Sequence, residues 1–318
     1  MSDKKRLNRI LEAAADLRET GRFDDAAKLL ADTALDPAVD ALGPRTSLGL
    51  PRRLQSAMLK LAKVQNDPIH RIAYQYNLVP PPDQLAHFAR FSLEDRRTIA
   101  RSNREPVPRV LHQIWIGEHP LPPACAAWRE HANTHGYEYR LWREADLDRI
   151  GLAANDGFAA MMARGDFPGA VDIARYQILA IEGGIYLDCD WYPAGQDISF
   201  HDLLPMYGMT AFAEDIPRNT GKGSLLLANS FIATPASHPI MHRLNDVLGD
   251  VMATLPNGPA WWTTGPLIFT LIARAGSITL ADANFVAGSL PQGTPQKEVD
   301  VIANDPKTDG LLIAWKSW

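Results

Sequence analysis

The sequence predicts an α/β fold, a Rossmann-like and mostly parallel sheet flanked by helices, preceded by an α-helical region. Three observations carry this. Residues 109–117 (Arg-Val-Leu-His-Gln-Ile-Trp-Ile-Gly) are apolar on both faces, as a parallel strand buried between helices must be. Residues 137–142 alternate with period two, and Ile185-Tyr186-Leu187 is a short apolar run of the buried kind. Helical stretches separate the three, and strands joined through helices by right-handed crossovers build a parallel half-sheet.

At 318 residues the chain has room for one large or two modest domains. The segment 103–108 (Asn-Arg-Glu-Pro-Val-Pro) reads as the boundary between a helical region, 1–104, and the α/β domain, 105–318. A net charge of −5, Lys+Arg 32 against Asp+Glu 37, gives no electrostatic basis for nucleic acid as a partner. Cys125 and Cys189 are the only cysteines, which excludes a disulfide framework or a thiolate metal site and fits a reducing cytoplasm. No run approaches the ~20 apolar residues of a transmembrane helix, so a soluble protein is expected.

In the helical region, Leu7, Ile10, Leu11, Ala14 and Leu17 keep helical spacing. Gly21-Arg-Phe23 makes a turn, and Ala26 to Leu30 continues a second helix. The pair resembles one tetratricopeptide-type hairpin; no second copy recurs at the repeat period, so packing material is the expectation. Residues 52–76 are helical with a break at Asp67-Pro68, Pro80–Pro82 is a stiff connection, and 85–102 reads as one more helix.

In the α/β domain, Pro122-Pro123 opens a helix that Gly136 closes. A helix from Val171 to Glu182 carries Ile173, Ala174, Ile178 and Ile181, with Asp172 in its first turn and Arg175 and Tyr176 on the same face. Gly183-Gly184 stops it, and the strand that follows delivers Asp188 and Asp190 at its carboxyl end. In extended chain these two point the same way, about 7 Å apart. They read either as turn residues after a core strand or as a pair holding a hard divalent ion beside phosphate oxygens. An apolar strand ending in Asp-x-Asp is also how haloacid-dehalogenase-type phosphatases present a nucleophile. Cys189 points to the opposite face and reads as core. Further on, 209–213 and 225–233 read as strands, and 261–266 (Trp-Trp-Thr-Thr-Gly-Pro) as a turn before a helix.

Asp172-Ile-Ala-Arg175-Tyr176 followed by Gly183-Gly184-Ile-Tyr186-Leu-Asp188-Cys-Asp190 resembles the central motif of Asp-x-Asp sugar transferases, most nearly glycosyltransferase family 32. That family includes yeast initiating mannosyltransferases and bacterial capsule and lipopolysaccharide enzymes, and the glucosylating clostridial toxins carry a related motif. The resemblance runs from about Pro108 onward. It implies a GT-A fold, a UDP- or GDP-linked sugar donor, Mn²⁺ or Mg²⁺ as cofactor, and transfer to a glycan or glycolipid with retention. It also implies that Asp188 and Asp190, with Ser317, hold the metal, and that Asp172 and Arg175 serve diphosphate and donor sugar. His112, Gln113, Trp115 (stacked on the base), Tyr186, Ser317 and Trp318 belong to the donor side, and Asn229, Trp262, Thr264 and Gly265 to the acceptor side. Members commonly carry a His a few residues before a terminal Ser-Trp. Here Trp315 and Lys316 precede Ser317-Trp318, so the last metal ligand stays open between Ser317 and water. Yeast members are membrane-anchored, so a chain without an anchor suggests a bacterial cytoplasmic protein, associated with a membrane at most through its acceptor. Other functions compatible with the residues are a protein-modifying effector, an adaptor with a degenerate transferase domain, and the phosphatase.

Overall fold

The computed structural model describes residues 3–36, 45–46, 48–78, 84–195, 197–213, 226–256, 258–281, 285–308 and 310–318. The chain forms two compact units, a helical one built before residue 82 and a sheet-bearing one built from 82–213 and 226–318. The proline run at 80–82 lies outside the described residues.

In the helical unit, α1 (Asp3–Glu19) and α2 (Phe23–Ala34) form the hairpin the spacing predicts, with Gly21 at φ 75 in the turn. A second hairpin follows, α3 (Arg52–Val64) and α4 (Pro68–Leu78), and α3 packs on both α1 and α2. The first hairpin is therefore not alone. Its neighbour escaped the repeat search because a longer connection spoils the period and Asn66, at φ 52, replaces glycine in the turn. Ala14, Ala26, Leu30, Leu54 and Leu61 are the buried centre of this unit.

The sheet-bearing unit starts with residues the sequence boundary leaves outside it. The expected helix over 85–102 is split: a single 3-10 turn spans Ala86–Ala89, and α5 (Leu93–Ser102) begins afresh at a Ser92/Asp95 capping box. Arg243 donates to the Phe88 and Arg90 carbonyls, and Asn103 donates to the Ser277 carbonyl, so this stretch is held to the rest of the unit.

Then come β1 (Val110–Ile114), α6 (Pro123–His135), β2 (Glu138–Trp142), α7 (Glu144–Arg149), α8 (Asp156–Ala163), α9 (Phe167–Glu182) and β3 (Gly184–Leu187). After these follow β4 (Trp191–Pro193), α10 (Phe200–Leu203), β5 (Thr210–Ala213), β6 (Leu227–Thr234) and α11 (Pro239–Thr254). The chain closes with α12 (Ala260–Thr263), α13 (Pro266–Ala275), β7 (Thr279–Leu280), β8 (Val286–Ser289), α14 (Gln296–Ala303) and β9 (Leu312–Ala314). The main sheet has the order β2-β1-β3-β6-β5-β7, and β4-β9-β8 form a small second sheet. β1 runs parallel to β2 and β3, β6 is antiparallel to β3 and β5, and β7 is parallel to β5. The fold is thus α/β with a mostly parallel central sheet flanked by helices, as the strand pattern predicts. Among the described residues no helix is long and apolar enough to cross a membrane.

α9 starts at Phe167, capped by Asp166 and opened by Pro168, so Asp172 sits inside the helix and not in its first turn. Its C-terminus is where chain geometry is tightest. Gly183 has φ 65 and ψ −155, a conformation open essentially to glycine alone. A Cβ on Gly183 would overlap the Ala236 nitrogen, and one on Gly184 would meet the Val110 oxygen at 2.6 Å. The glycine pair therefore lets a helix run straight into a strand pressed between β1 and the end of β6.

Gly183→Ala is expected to cost more than about 3 kcal/mol, backbone strain adding to overpacking. Gly249→Ala on α11, whose new Cβ meets nothing within 4 Å, should instead gain roughly 0.5–1 kcal/mol. Urea unfolding of the two variants checks both signs.

Candidate functional site

The direction of the chain reverses in the sheet between β1 and β3. From β1 it steps out to β2 through α6, then returns past β1 to β3 through α7–α9. Right-handed crossovers in opposite directions place their helices on opposite faces, which leaves a crevice at the carboxyl ends of β1 and β3. Trp115 stands at the first of these ends and Asp188 at the second.

Beyond Leu187 the strand does not continue. The Asp188 nitrogen donates to the Ser230 carbonyl at 2.9 Å, and the Trp191 nitrogen returns to the Asp188 carbonyl at 3.2 Å, closing a turn. The extended geometry expected for Asp188-Cys189-Asp190 is thereby corrected: the pair lies on a turn, which carries the chain round into β4. Cys189 does face inward, as alternation suggests, donating to the Ile114 carbonyl at 3.3 Å among Cys125 and Trp115.

One oxygen of Asp188, Oδ1, accepts from the Tyr186 hydroxyl at 2.7 Å and pairs with Arg175 Nη1 at 3.1 Å, leaving Oδ2 available. The Asp188 side chain is 30% exposed and that of Arg175 only 4%. Arg175 Nη2 pairs with Asp172 Oδ1 at 3.1 Å, Nη1 also donates to the Asn229 carbonyl, and the guanidinium lies 4.5 Å from the Tyr186 ring centre. Every face of the guanidinium is met by protein. It joins the two carboxylates, and Nε donates to the Val171 carbonyl at 3.4 Å, so four of its five N–H groups are met by protein.

Asp172 is enclosed in turn. Its Oδ1 also accepts from Asn229 Nδ2 at 2.7 Å, and its Oδ2 from Thr264 Oγ1 at 2.9 Å. A Cβ on Gly265 comes within 3.1 Å of Oδ2, so this glycine allows the approach. Tyr176, part of the motif but given no role by it, donates to the Thr264 carbonyl at 2.8 Å and accepts from Asn229 at 2.9 Å. Only its place one turn after Asp172 hints at this role. Burial, with the charge of Asp188 added, lifts the Asp172 carboxyl to about 6 against the pull of Arg175 and its hydrogen bonds. Burial alone lowers Arg175, but Asp188, Tyr186 and Asp172 raise it above its ordinary value.

Asp190 is the second half-buried acid. Burial and then the charge of Asp188 push it up to about 7, while Lys316 and Arg175 pull it back. Lys316 arrives with the tail: β9 pairs with β4, and the Trp315 nitrogen donates to the Asp190 carbonyl at 2.7 Å. Beyond it, Lys316 Nζ lies 5.5 Å from the ring centre of Trp318, and Trp318 stands edge-on to Trp115 with centroids 4.9 Å apart. Ser317 is half-buried between them. Trp115, Asp188, Asp190 and the tail thus share one end of the sheet.

Other residues on the expected donor and acceptor sides meet protein partners. His112 is fully buried: its Nε2 meets the Gly183 carbonyl at 2.9 Å and its Nδ1 accepts from Trp142 Nε1 at 3.1 Å. With Nδ1 an acceptor, Nε2 carries the proton, and burial lowers the ring to about 4. Gln113, also buried, accepts from the Tyr139 hydroxyl and donates to the Asp188 carbonyl at 3.3 Å, so it steadies the turn. Asn229, Thr264 and Gly265 form the collar of Asp172, and Trp262 is buried at 8% exposure.

No protein-family profile matches the chain. Inositol phosphoceramide mannosyltransferase 1 of Schizosaccharomyces pombe is 31% identical over 102 residues, 29% of this chain and 31% of that protein. Uncharacterized glycosyltransferase L373 of Acanthamoeba polyphaga mimivirus is 33% identical over 92 residues, 26% of this chain and 36% of that protein. The chain thus spans about a third of the length of these curated relatives. Among solved structures, the PaToxG glycosyltransferase aligns with a TM-score of 0.43 at 17% identity, over 60% of this chain and 76% of that one.

Arg175→Met removes the shared partner of Asp172 and Asp188 and should cost roughly 3–5 kcal/mol, the range for breaking a buried pair; chemical denaturation measures it. Since the folded-state pKa of Asp172 is raised from 3.8 to about 6, the native state holds an extra proton between those values. Stability from this group is present at the acid end and is lost as pH rises through 6, on the order of 3 kcal/mol. Asp172→Asn should lack that part of the slope, read as the difference in urea midpoints between pH 4 and 6.5. The Asp190 contribution has the same sign but is common to both proteins. Parallel slopes would overturn the assignment.

Proposed function

We propose that this chain is a glycosyltransferase that uses a nucleotide-sugar donor and a divalent cation held by Asp188 and Asp190. The observation that carries the proposal is the acid pair at the β1/β3 crevice, one acid braced from below by a buried arginine. Two curated relatives named as sugar transferases support the class.

The residues fit a cation of the Mn²⁺ or Mg²⁺ kind. Asp188 keeps Oδ2 available, and Asp190 is a half-buried carboxylate beside it, pushed up by burial and by the charge of Asp188 and only partly offset by Lys316 and Arg175. Among the described residues no group of three or more His, Cys, Asp or Glu converges into a metal site. A cation here would take its remaining ligands from diphosphate oxygens, water and Ser317, the usual manner of a hard ion bound with its substrate. When bound, such an ion supplies charge neutralisation to a departing nucleotide diphosphate.

The chain's own groups have separate tasks in this reading. Arg175 and Tyr186 fix the Asp188 carboxylate, and Asp172 fixes Arg175. Trp318, exposed and edge-on to the largely buried Trp115, offers aromatic surface for a nucleotide base. Lys316 adds positive charge beside Asp190. Gln113 and Trp315 hold the turn through the carbonyls of Asp188 and Asp190. Retention is what the motif's resemblance implies, and since Asp188 already shares its charge with Arg175 we propose front-face attack by the acceptor hydroxyl on the donor. The acceptor class we propose is a glycan or glycolipid; transfer to a protein side chain is the variant an acceptor screen separates.

A panel of UDP- and GDP-sugars with Mn²⁺, scored for slow donor hydrolysis, should yield one donor that is turned over. Asp190→Asn should reduce that turnover at least ~100-fold, the scale of losing a major electrostatic contact, and chelation should abolish it. Equal turnover by the variant would sink the proposal.

A further inference from the structure

The helical unit holds a site of its own. Stacked helical hairpins expose a concave face lined by the first helix of each pair, and such faces serve as binding surfaces. Here α1 and α3 are those first helices, and a cleft of about 250 Å³ opens between them, with Leu30 of α2 at its base. Its floor is shallow and apolar, with Leu11, Ala14 and Ala57. Arg18, Arg53 and Lys60 line it with positive charge, and no acidic side chain lines it.

The cations are poised rather than neutralised. Arg53 is exposed, and its Nη1 donates to Asn8 Oδ1 at 2.6 Å, a neutral partner that orients the guanidinium without cancelling its charge. Lys60 is exposed, two turns further along the same helix. Arg18 alone has an acidic partner, its neighbour Glu19 at 3.3 Å, whose side chain is 69% exposed. Such exposed pairs are weak and exchange readily. In a protein of net charge −5, three cations round an apolar floor form a local reversal of sign.

We propose that this cleft docks an acidic amphipathic segment of a partner protein, with small apolar side chains on the alanine floor and carboxylates on Arg53, Lys60 and Arg18. The floor sets the apolar requirement and the rim sets the sign. Binding here is independent of whether the acid pair of the sheet-bearing unit transfers sugar.

The test uses the full chain and two fluorescent model peptides, an amphipathic helix of Leu, Ala and Glu and its twin with Lys for every Glu. Fluorescence anisotropy at low salt should show the acidic peptide binding at least roughly tenfold more tightly than the basic twin, with the difference shrinking as salt is raised. Arg53→Glu/Lys60→Glu should weaken the acidic peptide by at least the same factor, with an unchanged circular dichroism spectrum and melting temperature. Leu11→Gln should weaken it without altering the salt dependence. Equal binding of both peptides, no binding of either, or an unaffected charge-reversed variant would overturn the proposal. So would capture by phosphatidylserine vesicles through the same cations with no peptide binding, since the cleft would then serve a lipid surface.

Discussion

A guanidinium sealed inside a protein is costly unless its charge and its hydrogen bonds are met on the spot. Arg175 satisfies that condition with two carboxylates, two main-chain carbonyls and a tyrosine ring. The partners come from α9, β3, the turn after it and β6, so one side chain ties these elements to a single geometry. Asn229, Tyr176 and Thr264 extend the network to the junction of α12 and α13. Removing Asp172, Arg175 or Asp188 leaves a buried charge short of a partner, and that penalty makes the arrangement specific. Asp188 is oriented because the arginine beneath it cannot move.

The bend after Asp188 has an electrostatic result that an extended strand would not have. It turns Cys189 into the core and brings Asp190 near both Asp188 and the tail, where burial and like charge hold its carboxyl well above the usual range. Lys316 and Arg175 only partly offset this. Such a site favours an added positive charge, and the alternative is uptake of a proton. The turn geometry and the cation site proposed for the two acids are therefore compatible with one another.

Local signals read well from the sequence because their causes are local. Gly183-Gly184 announces a helix end and a close crossing, and Ile185-Tyr186-Leu187 a buried strand. Pro122-Pro123 and Gly136 mark the limits of α6. What escaped depends on partners distant in the chain. Asn229 and Thr264 give no sign in the sequence that the fold brings them, across 57 and 92 positions, onto Asp172. His112 carries no sign in the sequence of which groups it meets, and Trp142 and Gly183 from two other segments occupy both its nitrogens. The second helical hairpin was hidden for a different reason: its packing depends on shape, while a repeat search depends on even spacing.

The same contacts discriminate between the chemistries open to an Asp-x-Asp strand end. A nucleophilic carboxylate must present an oxygen whose lone pairs are free and whose charge is not already shared. Asp188 keeps Oδ2 open but gives Oδ1 to a phenol and a guanidinium, so its charge is already shared with the protein. Burial and the neighbouring charge of Asp188 push the Asp190 carboxyl up from its ordinary range, so its negative charge is opposed by its surroundings. Both features suit an electrostatic task, in which the oxygens remain in place and oppose positive charge. The phosphatase alternative requires the reverse arrangement, an unbraced acid with a partner able to donate a proton to the leaving group. The braced pair is better suited to steadying a departing diphosphate than to forming a bond with one.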